Sequence, residues 1–169
     1  MNEQTIIWSI FCLVALALAL WQPRLTRRLL GGFFVLMALG VNVSLALRDP
    51  AWFVHLGTDS PLLPVYAWGF AHLVAVAPAA FGIAIAAYEV LVGVLMMAGG
   101  PRSRWGLAGG ILFLVLSAPL SSWTVPNLIL AAALAAILLR EPRPGGRRAV
   151  ADAGVRTASR TTVRPESVA

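Results

Sequence analysis

One carboxylate in this chain occupies a place where a carboxylate is expensive. Glu89 lies near the middle of an apolar run, Ala79 to Ala98, with no other charge near it in sequence. An ionised side chain at the centre of a bilayer costs on the order of 3 kcal/mol by insertion scales. Such a group must face other protein and either hold a proton or find a partner. At helical spacing Gly82, Ala86, Glu89 and Gly93 share one stripe, so small residues flank the carboxyl and a neighbouring helix can pack close beside it. A protonated carboxyl that bonds a carbonyl or hydroxyl and only fixes the fold accounts for the residue as well as a binding role does.

Three more polar side chains are candidates to join it. Asn42 shares a stripe with Gly31, Val35 and Ala38 on an earlier apolar run, where an interhelical hydrogen bond is worth about 1 kcal/mol and is usually structural. Asn127 follows Pro126, and its simplest reading is a helix start, where such residues satisfy or avoid free amides. His72 sits in an interrupted apolar stretch; contact with lipid headgroups is the simpler reading and pairing with Glu89 across the bundle the functional one. Glu89, Asn42, His72 and Asn127 thus form a candidate polar binding site, and no residue is assigned a catalytic role. The single Cys12 rules out an internal disulfide, a CxxC pair and a cysteine cluster, and two histidines are too few for a convincing metal site, so none is expected. No phosphate-binding glycine loop or serine–histidine–acid pattern is present.

The elements that must position these residues are membrane spans. The chain is 59% hydrophobic and 12% charged, with a mean hydropathy of +0.83, which leaves too little polar surface to cover a soluble domain. Uncharged or nearly uncharged runs cover Ile6 to Trp21, Leu29 to Leu47, Ala79 to Ala98, Gly106 to Leu120 and Val125 to Leu139. These approach the roughly 20 residues that cross a hydrocarbon core. Without water to bond, the backbone must satisfy itself as helices, the runs being too long for barrel strands. The small-xxx-small spacing in GLAGG, with Gly106, Gly110, Phe113 and Ser117 on one face, is a packing signal.

Orientation follows from the basic residues, all 13 of which are arginine. Arg24, Arg27 and Arg28 follow the first run, Arg102 and Arg104 precede the fourth, and Arg140 closes the fifth. The positive-inside rule places these six in the cytoplasm and the N-terminus outside, leaving Arg48 on the outer side. MNEQT carries no basic residue, so the first run is expected to be a retained helix rather than a cleaved signal. Residues 62 to 78, framed by prolines, are expected as a short interfacial or re-entrant helix on the outer side. Trp52, Trp68 and Trp123 are expected as outer anchors, Trp21 and Trp105 as inner ones. The formal charge of +6 is read as topology and attraction to anionic lipid, with no nucleic-acid partner. After Arg140 the composition turns to Pro, Gly, Ser, Thr and Arg, which predicts a disordered tail.

Three stretches carry a family resemblance: RLLGGFFVLMALGVN, VAPAAFGIAIAAYEVLVGVLMMAGG and VPNLILAAALAAILL. Residues 28 to 139 resemble the DoxX and DoxX-like family of small bacterial four-helix membrane proteins. An Arg-Leu pair and glycines open that family's first core helix, a proline precedes a helix bearing an acidic residue and then a glycine, and Pro-Asn opens the last. Arg28, Leu29, Gly32, Gly40, Pro78, Glu89, Gly93, Pro126 and Asn127 hold those places here. The first core helix of the family often ends in a lysine after a glycine, where this chain has GVN. The resemblance implies an all-α polytopic membrane bundle, a four-helix DoxX-like core plus one extra N-terminal transmembrane helix, in the bacterial plasma membrane. Residues 1–27 are then the extra helix and a basic cytoplasmic loop, 28–140 the core with an outer interrupted segment at 50–78, and 141–169 the cytoplasmic tail. Some relatives look like subunits of thiosulfate:quinone oxidoreductase and others belong to membrane redox and thiol-stress complexes. The expected function is therefore an accessory or anchoring subunit of a redox system, not a self-sufficient enzyme, with a membrane redox protein or a second copy as partner. The alternative is a binding or transport protein with a cavity near Glu89 for a quinone, lipid or small apolar solute; quinone is the cofactor considered.

Overall fold

The computed structural model describes residues 3–120 and 124–141, and among these the fold is all-α. Seven helices follow in order: α1 (Glu3–Trp21), α2 (Pro23–Arg48), α3 (Ala51–Thr58), α4 (Pro64–His72), α5 (Pro78–Ala98), α6 (Pro101–Ser117, prolonged by a 3₁₀ turn to Leu120) and α7 (Thr124–Arg140). Four of them, α1, α2, α5 and α6 with its 3₁₀ turn, are long and apolar enough to cross a membrane, and α7 is a shorter apolar helix of 17 residues. Between 22% and 33% of each of those four spanning windows is buried inside the molecule. The remainder presents large apolar side chains such as Ile7, Leu36, Leu91 and Leu112 outward. In water that surface would drive aggregation; facing lipid tails it is at home. The protein is a multi-pass membrane protein.

The long helices close into a ring. α1 packs on α2 and α7, α2 on α5, α5 on α6, and α6 on α7, while α2 also reaches α7 across the centre. The centre is filled by Leu30 and Phe34 of α2, Val92 and Met96 of α5, Leu107 and Leu114 of α6 and Leu130 and Leu134 of α7, with Cys12 of α1 among them. Close approach depends on two glycines. A methyl group on Gly31 would lie 2.8 Å from the Gly93 carbonyl oxygen, and one on Gly93 would lie 2.5 Å from that of Gly31. Two backbones therefore touch where α2 crosses α5, as small residues allow between membrane helices.

Proline sets the starts. Pro23, Pro64, Pro78 and Pro101 each occupy the first turn of a helix, where the missing N–H would have been unsatisfied anyway. α2 accordingly begins at Pro23 and only Gln22 separates it from α1, so Arg24, Arg27 and Arg28 are helical. The expected basic loop before residue 28 is thus the first turns of α2, and the boundary at residue 27 falls inside that helix. The turn from α5 to α6 uses Gly99 (φ 74°) and Gly100 (φ 63°), a left-handed pair that side chains would strain.

The interrupted segment is two short helices. α3 buries Phe53 against Gly82 and Ala46, forming a second core with Val74, Phe70 and Phe81. α4 has no fully buried residue. A 3₁₀ turn, Val74–Val76, separates it from α5. Arg140 donates to the Leu20 carbonyl and Arg27 pairs with Glu141, so the start of α2, the start of α6 and the end of α7 gather at one end of the bundle, with α3 and α4 at the other. Glu141, expected as the first residue of a disordered tail, is instead held by these contacts; residues 142–169 and Trp123 lie outside the described residues.

Candidate functional site

The stripe expected on α5 is buried as a unit: Gly82, Ala86, Glu89 and Gly93 all face inward. Glu89 is 5% exposed, and its Oε2 accepts a hydrogen bond of 2.6 Å from Asn42 Nδ2. α2 reaches this partner through a local change of pitch. Over Ala38–Asn42 the helix takes a π turn, in which the Val43 N–H bonds the Ala38 carbonyl five residues back. One extra residue in a turn rotates the remainder of the helix about its axis, and such turns recur at functional sites. Arg27–Glu141 and His55–Asp59 are the ion pairs among the described residues, so no cation joins the Glu89 carboxyl there. The pair can offer its remaining acceptors, Glu89 Oε1 and Asn42 Oδ1, to a hydroxyl or N–H donor.

The other two expected members stand apart. Asn127 lies in the first turn of α7, yet its side chain is used across helices rather than on its own amides. Oδ1 accepts from Trp8 Nε1 of α1 at 3.3 Å and Nδ2 donates to Ser117 Oγ of α6 at 3.2 Å. Trp8 also stacks on Phe11 and Phe33, so this tie is set in an aromatic wall joining α1 to α2. His72 is exposed, with Nδ1 2.8 Å from the Trp68 carbonyl one turn back and its ring stacked on that of Trp68. Among the described residues no hydrogen bond or ion pair joins it to Glu89, so pairing with that carboxyl is not what the geometry contains. Of the four candidates, Glu89 and Asn42 meet.

No family model, curated protein or solved structure matches the chain. Its own geometry is therefore what bears on function.

A second polar centre, at the arginine-bearing end, is absent from the sequence-based candidates. Arg27 Nη1 pairs with Glu141 Oε1 at 2.9 Å, their side chains 9% and 16% exposed. Ser103 Oγ donates to Glu141 Oε2 at 2.5 Å, and Arg104 Nη1 to the Glu141 carbonyl at 3.0 Å. Gly99 brings the α5–α6 turn against the Arg27 guanidinium. One carboxylate thus joins α2, α6 and α7, and Arg140 ties α7 to α1. The signal in the sequence was a lone acid, Glu141, beside an arginine at the end of an apolar run. Around this centre Arg24, Arg28, Arg102 and Arg140 are exposed.

Proposed function

We propose that the protein is a DoxX-like accessory subunit of the bacterial plasma membrane, which anchors or organises a quinone- or thiol-linked redox partner. In this reading the arginine-bearing end faces the cytoplasm and the N-terminus lies outside, as the positive-inside rule requires. The observation that carries it is the arginine-bearing end itself. Four exposed arginines, Arg24, Arg28, Arg102 and Arg140, are mounted on helix ends pinned by Arg27, Ser103 and Glu141. A cluster of exposed guanidinium groups on fixed helix ends suits bidentate capture of carboxylates or phosphates on a partner. Purification of the tagged full chain from native membranes in mild detergent, with mass spectrometry of proteins and lipids, tests it. Stoichiometric recovery of an oxidoreductase that is lost from an Arg24→Ala/Arg28→Ala/Arg102→Ala variant supports the reading; recovery of the chain with lipid alone overturns it.

A second reading makes the Asn42–Glu89 pair a polar anchor for a small apolar ligand such as a quinone. The π turn favours it, because the turn spends helix regularity at the residue that meets the carboxyl. Binding of a short-chain quinone by the purified protein, abolished in Glu89→Gln while the thermal melt is unchanged, would support this reading. Equal binding by both proteins would remove it.

A further inference from the structure

α4 and the start of α5 border an open groove of about 420 Å³, lined by Val65, Tyr66, Gly69, Phe70, Leu73, Val74 and Phe81. That volume lies within the roughly 300–1,000 Å³ typical of ligand sites. The one polar side-chain atom of these residues, the Tyr66 hydroxyl, already donates to the Leu116 carbonyl at 2.9 Å. What remains for an occupant is hydrocarbon wall. The groove is also built rather than a gap between loose elements. The Leu62 N–H donates to the Pro119 carbonyl at 2.9 Å, so α4 is pinned to the end of α6 at its start and again at Tyr66, while the Val74–Val76 turn joins its other end to α5. At Gly69 an added Cβ meets nothing within 4 Å, so the missing side chain leaves open space on this face.

We propose that this groove holds one acyl chain of a membrane phospholipid. Its position selects that occupant. The Tyr66 bond places α4 beside the last turn of α6, and Phe81 is in the first turn of α5, so the groove lies at the rim of two spans, where chains meet the headgroup layer. It is continuous with the lipid-facing surface: Val65 and Leu73, which line it, are 64% and 67% exposed, and their neighbours Leu62 and Val76 are 62% and 81% exposed. An apolar void at that depth forfeits dispersion contacts if empty, and lipid tails are the hydrocarbon at hand. Trp68 and His72 lie on another face of α4, which leaves an indole and an imidazole for the headgroup layer. The proposal requires the membrane placement and neither reading of function.

The test uses the full chain in nanodiscs containing a phosphatidylethanolamine with a diazirine in its acyl chain, photolysed and mapped by mass spectrometry. Crosslinks are expected to concentrate on Leu73 and Phe81 over the lipid-facing controls Leu112 and Val115 of α6. Gly69→Trp, which fills the groove, should reduce the crosslinks at Phe81 to control level with the thermal melt retained. Should that variant fail to fold, Gly69→Leu and the native labelling pattern still decide. Labelling spread evenly over groove and controls, labelling insensitive to filling, or Phe81 shielded by a second copy of the chain would each overturn the assignment.

Discussion

The buried carboxylate of Glu89 and the half-buried one of Glu141 are handled in opposite ways. Glu141, at the arginine-bearing end, has a guanidinium at 2.9 Å and a serine hydroxyl at 2.5 Å. Glu89, deep in α5, has one amide at 2.6 Å. The Arg27 guanidinium spends its Nη1 on Glu141 and keeps a buried Nε without a hydrogen-bond partner, so this tie rests on the counter-charge, and losing one partner strands the other. Glu89 has one neutral partner and no counter-charge among the described residues. The end of the molecule is thus tied by an ion pair and its interior by single hydrogen bonds to amide groups, which predicts very different costs of disruption.

The largest effect should come from the charged centre. Arg27→Ala leaves Glu141 without its counter-charge and is expected to cost about 3 kcal/mol, the lower end for a broken buried pair because Glu141 sits at a helix terminus. Unfolding in a detergent titration measures it, and Arg27→Met with Glu141→Gln should recover most of the loss. If the double variant is no better than the single, the pair is not the tie described. Next comes the crossing of α2 and α5. Gly31→Val drives atoms into the Gly93 backbone and should cost about 1–3 kcal/mol, whereas Gly32→Ala, whose added carbon meets nothing within 4 Å, should leave stability equal or raised by up to about 1 kcal/mol. Equal melting curves for the two variants would break the claim of backbone contact.

The single hydrogen bonds between helices should be weaker. Asn42→Ala is expected to cost about 1 kcal/mol, and Glu89→Gln less, because a glutamine oxygen still accepts from Asn42. A Glu89→Gln loss as large as that of Arg27→Ala would remove the contrast between the two sites. The smallest effect belongs to Trp8→Phe, which keeps the stack on Phe11 and Phe33 but loses the bond to Asn127; about 0.6 kcal/mol is typical of such interhelical bonds.

How much of this was legible depends on how far apart the partners stand in sequence. The stripe around Glu89 could be read because helical periodicity and small residues are local, and Asn42 emerged from the same rule on α2. The apolar runs located the long helices to within a few residues, except that Pro23 and Pro101 start α2 and α6 ahead of their arginines. What could not be read was who faces whom. Asn127 resembles a helix-start residue until α1 and α6 bring Trp8 and Ser117 to it, 119 and 10 residues away. Arg27 reads as a topology marker because charge rules count arginines without asking which one is buried, and Glu141 reads as tail because composition changes there. The π turn has no signature in ALGVN. His72 stays apart from Glu89 because α4 bonds it to its own backbone, a matter of side-chain direction that spacing does not encode.

The central claim is that one bundle end gathers the arginines of the α2 start, the α6 start and the α7 end, opposite α3 and α4. It can be tested directly with single cysteines in a Cys12→Ala background, placed at Gln22, Arg102 and Ser60, and an impermeant maleimide applied to intact cells and then to opened membranes. Gln22→Cys and Arg102→Cys are predicted to react together, from the side opposite to Ser60→Cys. Labelling of Ser60→Cys and Arg102→Cys from the same side would contradict it.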